Sequence, residues 1–289
     1  MQKVIWGAPS FWIERFPLYW GIDQGFFTKQ GIDLDIWYSY GGPELARAVN
    51  AGRIHIGEMG LPPFVTAYQQ GMAVRIIGSS VIQQLDHYLA ARPDIVSVDG
   101  LAGGRIGILS AGSCDEYFIR KMLTAHDIDP DSDVELIPLG EDYGRPDLFI
   151  EGRVDAAFVV EPQLAQGEHE GLLRVIDRVA YYYPRYQWGI ILASEVWLKH
   201  QGDLLERLMH GFRRACRSIK DRPGQTIGLG SRVFGVAPEV FERALQRDLP
   251  RWETDGRLDM AGLQSALKVQ ETMELLTPDL SPDEMILQL

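Results

Sequence analysis

Gly52-Arg53-Ile54-His55-Ile56-Gly57-Glu58-Met59-Gly60 has an echo one hundred residues later, in Gly152-Arg153-Val154-Asp155-Ala156-Ala157-Phe158-Val159-Val160-Glu161. Each copy is Gly-Arg, a short apolar strand, and a break. Each follows a short helical pattern, Pro43 to Asn50 and Arg145 to Glu151. The echo extends upstream. Ile32 to Ile36, ending at Gly41-Gly42, matches Asp133 to Ile137, ending at Gly140-Glu141; Val4 to Ser10 matches Arg105 to Ala111. Three strand units recur in one order at an offset too long for a solenoid, which predicts two similar α/β lobes. Strands alternating with helices predict mostly parallel sheets. In such sheets a ligand binds beyond the carboxyl ends of the strands, so the expectation is a ligand held between two lobes.

Composition narrows the function classes. The chain has 289 residues, 46% hydrophobic and 24% charged, the values of an ordinary globular protein with a core large enough to need neither disulfides nor metal. A net charge of -12 argues against nucleic acid or an anionic membrane as partner. Cys114 and Cys216 make no disulfide framework, and no Cys/His cluster suggests zinc. No cofactor is expected. No apolar run reaches transmembrane length, and the strand pattern begins too close to Met1 for a signal peptide. The expected location is periplasmic or lipid-anchored if a leader was removed, and cytoplasmic if Met1 is the native start.

The most distinctive segment is Phe16-Pro17-Leu18-Tyr19-Trp20-Gly21-Ile22-Asp23-Gln24-Gly25-Phe26-Phe27-Thr28-Lys29-Gln30-Gly31-Ile32. Pro17 suits a first helical turn, and Gly25 and Gly31 suit helix ends. With the later Gly41-Gly42 and Ala48 to Gly57, this pattern resembles the periplasmic solute-binding proteins for nitrate, alkanesulfonates, taurine and thiamine-pyrimidine compounds, over most of the chain to about Pro223. The resemblance implies a type II periplasmic-binding-protein fold: two α/β lobes, two crossover strands, and a ligand clamped between the lobes. It also implies delivery to an ABC importer permease. The crossovers are expected at Leu89-Ala90-Ala91 and Gly189 to Ala193. Lobe 1 is then 1–90 with 190–289, including a C-terminal cap of helices, and lobe 2 is 91–189. A monomer is expected.

The site expectation follows from strand ends. Ser10, Phe11 and Trp12 follow the first strand; Tyr40, Gly41 and Gly42 follow the second; Met59 and Gly60 end the third; Ser79 follows the fourth. His87 lies beside the first crossover, Glu161 ends the strand mirroring Ile56 to Met59, and Trp188 precedes the second crossover. In the second lobe Ser110, Gly112, Ser113 and Cys114 sit at a helix N-terminus, which favours an anion; plain capping by Ser113 explains the same residues. The aromatic residues Phe11, Trp12, Tyr40, Tyr186 and Trp188 suit a planar or apolar ligand body. His55 reads as structural, His126, His169, His200 and His210 as surface, and Trp6, Trp20, Phe26, Phe27 and Trp37 as core.

Enzymes on the same fold remain open alternatives: a decarboxylase, a sulfinate desulfinase, or a pyrimidine synthase. The loop after strand one, Pro9-Ser10-Phe11-Trp12, holds no cysteine nucleophile. Cys114 at a helix N-terminus is the remaining thiol, with a lowered pKa expected there, and Glu58, Glu141 and Glu161 are possible acids or bases. A cytoplasmic ligand sensor is the third reading.

Overall fold

The computed structural model describes residues 1–9, 11–39, 41–85, 87–140, 143–276 and 280–287. Among these residues ten strands make two mixed five-stranded sheets. The first contains β1 (Gln2–Ala8), β2 (Ile32–Tyr38), β3 (Ile56–Gly60), β4 (Val74–Ser79) and β10 (Gly189–Ser194), in the order β2-β1-β3-β10-β4. The second contains β5 (Tyr88–Ala91), β6 (Arg105–Ile108), β7 (Glu135–Pro138), β8 (Ala156–Val159) and β9 (Arg174–Arg178), in the order β7-β6-β8-β5-β9. The orders correspond strand for strand. In each sheet the one strand antiparallel to its neighbours is the crossover, β10 or β5. Both crossovers fall where the sequence places them.

Burial explains the strand compositions. β10 (GIILAS), β5 (YLAA) and β8 (AAFV) are buried along their whole length, because helices cover both faces of a central strand. β2 lies at an edge, and its Ile32-Asp33-Leu34-Asp35 alternates buried and exposed. The helices are α1 (Phe16–Asp23), α2 (Gly42–Asn50), α3 (Leu61–Gln69), α4 (Cys114–Ala125), α5 (Asp147–Ile150), α6 (Gln163–His169), α7 (Glu195–His200), α8 (Gly202–Asp221), α9 (Ile227–Phe234), α10 (Pro238–Asp248), α11 (Met260–Thr272) and α12 (Pro282–Met285). In α8 the buried residues Leu204, Leu205, Leu208, Phe212, Ala215, Cys216 and Ile219 recur at helical spacing. Phe212 stacks on Trp6 of β1 with ring centroids 5.0 Å apart.

The hundred-residue echo holds down to single hydrogen bonds. Ile5, Trp6 and Gly7 pair with Asp35, Ile36 and Trp37, as Arg105, Ile106 and Gly107 pair with Glu135, Leu136 and Ile137. Trp6 and Gly7 pair with Ile56 and Gly57, as Ile106 and Gly107 pair with Ala156 and Ala157. His55 Nδ1 accepts the Ile5 N–H at 2.9 Å, and Asp155 Oδ2 accepts the Arg105 N–H at 2.7 Å. Strand one and the turn before strand three are thus locked by the same bond in both units. Gly52 and Gly152 both have left-handed backbones, φ 70° and 65°, in that turn. His55 is structural as expected, although it precedes β3 rather than lying in it. Its role as acceptor and its burial both favour the neutral ring, and burial lowers its pKa.

Residues Met1–Leu85, Arg185–Val233 and Asp248–Leu289 form one compact unit; Asp86–Pro184 and Phe234–Arg247 form the other. The division differs from the expected lobes in three places, at 86–90, 185–189 and 234–247. The segment before β5 goes with the second unit because β5 hydrogen-bonds β8 and β9. The expected C-terminal cap on lobe 1 is split, because Phe234–Arg247 returns to the second unit. There Arg247 bonds Glu161 at 2.6 Å and Glu168 at 2.5 Å, and Arg243 meets Glu168 at 2.9 Å. In the first unit Leu287 N–H donates to Ile76 C=O at 2.9 Å, so the last described residues cover the β4 edge.

Candidate functional site

Each unit gathers its candidate residues at the carboxyl ends of its parallel strands. In the first unit Phe11 follows β1 and is 38% exposed. Its ring meets the rings of Tyr19 and Tyr38 edge-on, at 6.0 and 5.5 Å. The two tyrosine hydroxyls are 3.0 Å apart, and burial together with that bond raises the Tyr38 pKa. Trp12 is half-buried and opens the turn Ile13–Arg15. After β2, the Ser39 hydroxyl donates to the Gly41 carbonyl at 2.9 Å, and Gly42 starts α2. A Cβ at Gly42 would lie 2.5 Å from Pro63. At the end of β3 Gly60 has a similar function: a Cβ there would lie 2.9 Å from the Trp188 ring. Leu61 N–H donates to Trp188 C=O at 2.7 Å. The half-buried indole of Trp188 therefore lies flat over a glycine, a position set by the missing side chain.

Some expected site residues lie deeper. Met59 is in the core. Ser79 is fully buried; its hydroxyl donates to Ser80 C=O at 2.9 Å and accepts from Gln187 Nε2 at 3.1 Å, so it ties the end of β4 to the segment before β10. Tyr186, expected as ligand wall, is fully buried, with its N–H bonded to Gln84 Oε1 and its C=O to the Leu85 N–H. Ser10, Tyr40 and Glu141 lie outside the described residues.

In the second unit Ser110 and Gly112 are exposed after β6. Ser113 caps α4, its Oγ accepting the Glu116 N–H at 3.3 Å, while Glu116 Oε2 accepts the Gly112 N–H at 2.7 Å. This is a close relative of the capping box. The helix N-terminus already holds a carboxylate of its own chain, and that weakens the case for an external anion there. Cys114 departs from its expected lowered pKa. Burial, and secondarily the Asp115 charge, push its thiol up to about 12, outweighing the helix dipole. It is a protonated thiol at neutral pH. Under native conditions at pH 8, a disulfide reagent such as DTNB should titrate neither Cys114 nor the fully buried Cys216 within minutes, and both in denaturant. A fast native thiol would restore Cys114 as a nucleophile.

His87 precedes β5 beside the end of β8. Its ring lies edge-on to Phe158 at 5.7 Å, with Nδ1 3.6 Å from Asp115 Oδ1. Burial first, and the neighbouring Asp115 charge second, raise the pKa of the buried Tyr143 hydroxyl far above its usual value. His87 before β5, Asp115 after β6 and Tyr143 after β7 thus lie near one another. Glu161, expected to face ligand, is instead buried: Oε1 pairs with Arg247 and Oε2 accepts the Ala165 N–H at 3.0 Å. Arg178 and Arg247 both lie over the Tyr88 ring, at 5.3 and 5.6 Å. His126, expected at the surface, is partly buried between Asp99 and the Tyr182 hydroxyl, at 3.0 and 3.2 Å.

The largest group missed from sequence is in the first unit. Arg15 Nη2 contacts Glu14 Oε1 at 2.6 Å and Nη1 contacts Glu58 Oε1 at 2.8 Å, while Trp6 Nε1 donates to Glu58 Oε2 at 3.2 Å. Arg15, Glu14 and Glu58 are 1%, 7% and 1% exposed. The available signal was charge inside an apolar run, Ile13-Glu14-Arg15-Phe16, at the position where the second unit has its own buried charge, Asp115. Among the described residues no group of three or more His, Cys, Asp or Glu could hold a metal, and no helix is long and apolar enough to cross a membrane.

Comparison with known proteins agrees with this geometry. The formylaminopyrimidine-binding protein of Halalkalibacterium halodurans is 22% identical over 245 residues, 82% of this chain and 73% of that one. The alkanesulfonate-binding protein SsuA of Xanthomonas axonopodis pv. citri, bound to MOPS, superposes with a TM-score of 0.78 at 17% identity, covering 99% of this chain and 98% of that one. The desulfurization enzyme DszB superposes with a TM-score of 0.73 at 18% identity, covering 99% and 96%. The fold is therefore that of the periplasmic binding proteins, as the sequence resemblance implies. A family profile described as NMT1/THI5 like matches residues 12–226, and the chain belongs to that family.

Proposed function

We propose that this protein captures a small, planar organic molecule and delivers it, outside the cytoplasmic membrane, to the permease of an ABC importer. The observation that carries the ligand class is the Trp188 indole lying over Gly60, with Phe11 and Trp12 at neighbouring strand ends. A flat aromatic surface on a glycine floor suits a heteroaromatic ring. The pyrimidine named for the Halalkalibacterium relative is of that class. Against a sulfonate stands the Glu116 carboxylate already bound at the α4 N-terminus. Binding without turnover is supported by the protonated state of Cys114 and by the lack of any cysteine in the loop after β1.

Native mass spectrometry of freshly purified protein, followed by denaturing release, tests this directly. A stoichiometric heteroaromatic molecule recovered unchanged is the expected result; an aliphatic sulfonate would overturn the ligand class, and a chemically altered molecule would overturn binding without turnover. By titration calorimetry with a formylaminopyrimidine, Trp188→Ala should weaken binding at least tenfold, since stacking on one aromatic ring contributes about 1–3 kcal/mol. Gly60→Ala should do the same by displacing the indole.

A further inference from the structure

The buried cluster beneath the first unit's strand ends contains two carboxylates and one guanidinium, a net charge of -1 when all are ionised. Glu14 and Arg15 belong to the turn that follows the Phe11–Trp12 loop; Glu58 lies on β3 two residues before Gly60. Arg15 therefore joins that loop to the strand carrying the Trp188 floor. The joint is imperfectly satisfied. Arg15 Nε and Nη1 and Glu58 Oε1 are buried without an aligned hydrogen bond, although Nη1 and Oε1 are 2.8 Å apart. A buried ionic contact without that alignment recovers little of its desolvation cost. Among the described residues, the other groups facing Glu58 offer no second cation. Trp6 of β1 donates one N–H, Tyr38 of β2 and Cys216 of α8 are protonated neighbours, and Ile191 lies opposite on β10.

We propose that Glu14, Arg15 and Glu58 form a proton-coupled latch, in which Arg15 positions the Phe11–Trp12 loop against β3 while Glu58 is protonated, and loss of that proton loosens the loop. With Glu58 protonated, Arg15 and Glu14 form a neutral pair and the cluster carries no net charge. With Glu58 ionised, the closed packing must hold an uncompensated buried charge, which opening to water relieves. The acid constant agrees in direction. Burial first, and Glu14 second among the raising causes, push the Glu58 carboxyl from its usual 4.5 up to about 7, against the lowering effect of Arg15. A raised carboxyl pKa favours the closed state at low pH; that advantage declines as pH rises above about 4.5 and is lost above about 7. The latch is distinct from the ligand-binding proposal and stands or falls without it.

Hydrogen exchange on ligand-free protein tests it. After correction for intrinsic exchange rates, protection of the amides in 11–16 should fall up to about tenfold between pH 6 and pH 8. In Glu58→Gln, which keeps an acceptor for Trp6 Nε1 and carries no proton to lose, protection should be independent of pH. Equal protection at both pH values in the unaltered protein, or the same pH dependence in the variant, would overturn the latch. Should the variant fail to fold, carbon-13 NMR of glutamate carboxyls in the unaltered protein decides: one titrating near neutral pH supports the latch, and none above pH 6 overturns it. Because no ligand is present in either measurement, failure here leaves the ligand titrations to be judged separately.

Discussion

Replacing Arg15 by Met should destabilise the protein by about 3–5 kcal/mol at pH 7.5, the usual cost of removing one partner from a buried ion cluster. Met keeps most of the side-chain volume, so the loss is one of charge. Glu14 and Glu58 would then confront each other with no cation, in a site where both are nearly inaccessible to water. Part of the loss should be recovered in Arg15→Met/Glu58→Gln, where one of the two opposed charges is gone; the pair should couple by 1 kcal/mol or more, as residues in direct contact do, in the range of about 0.5–3 kcal/mol. Urea unfolding of the four proteins measures this. An Arg15→Met loss below about 1 kcal/mol would show that the cluster is hydrated in solution.

The second large effect is expected at Arg247. Its guanidinium spans Glu161 and Glu168 and lies over Tyr88. The Glu161 carboxylate has no exposed surface, so Arg247→Met leaves it buried without its guanidinium, while the Ala165 N–H still donates to Oε2. We expect a loss of about 3 kcal/mol, and strongly increased hydrogen exchange in 236–247, because this contact fastens that segment to the second unit. Arg247→Lys should recover less than half of the loss. One ammonium is a compact point charge and does not reproduce a planar fork bonded to two carboxylates. Unchanged exchange in 236–247 would show that apolar packing alone holds the segment.

Both residues escaped sequence reading for the same reason. Arg15 and Arg247 are ordinary-looking cations that each meet a buried carboxylate far off in the chain, Glu58 at 43 residues and Glu161 at 86. The apolar run around Glu14-Arg15 hints at burial, but it does not name the partner, and the sequence around Arg247 carries no such hint. The glutamates were singled out, but as acids or ligand groups; only their surroundings show that Glu58 and Glu161 face the chain's own arginines. Cys114 illustrates a related limit. A helix N-terminus lowers a thiol pKa and burial raises it, and only the depth of the residue decides which effect wins. Trp188 was identified from its place before a crossover strand, but the glycine beneath it is a matter of contact.

The sequence by itself determined the two-unit architecture, the strand ends that carry the candidate site, and both crossover strands. Those features are written in local patterns: apolar runs that must be buried, glycines where the backbone turns left-handed, and a repeat whose copies bury equivalent positions. The tertiary structure alone decided where the chain divides and which charges are paired. It returned 234–247 to the second unit and placed Arg15 between two buried carboxylates. Such choices depend on desolvation and on partners distant in sequence, and a carboxylate bears the same letter whether water, a ligand or an arginine stands against it.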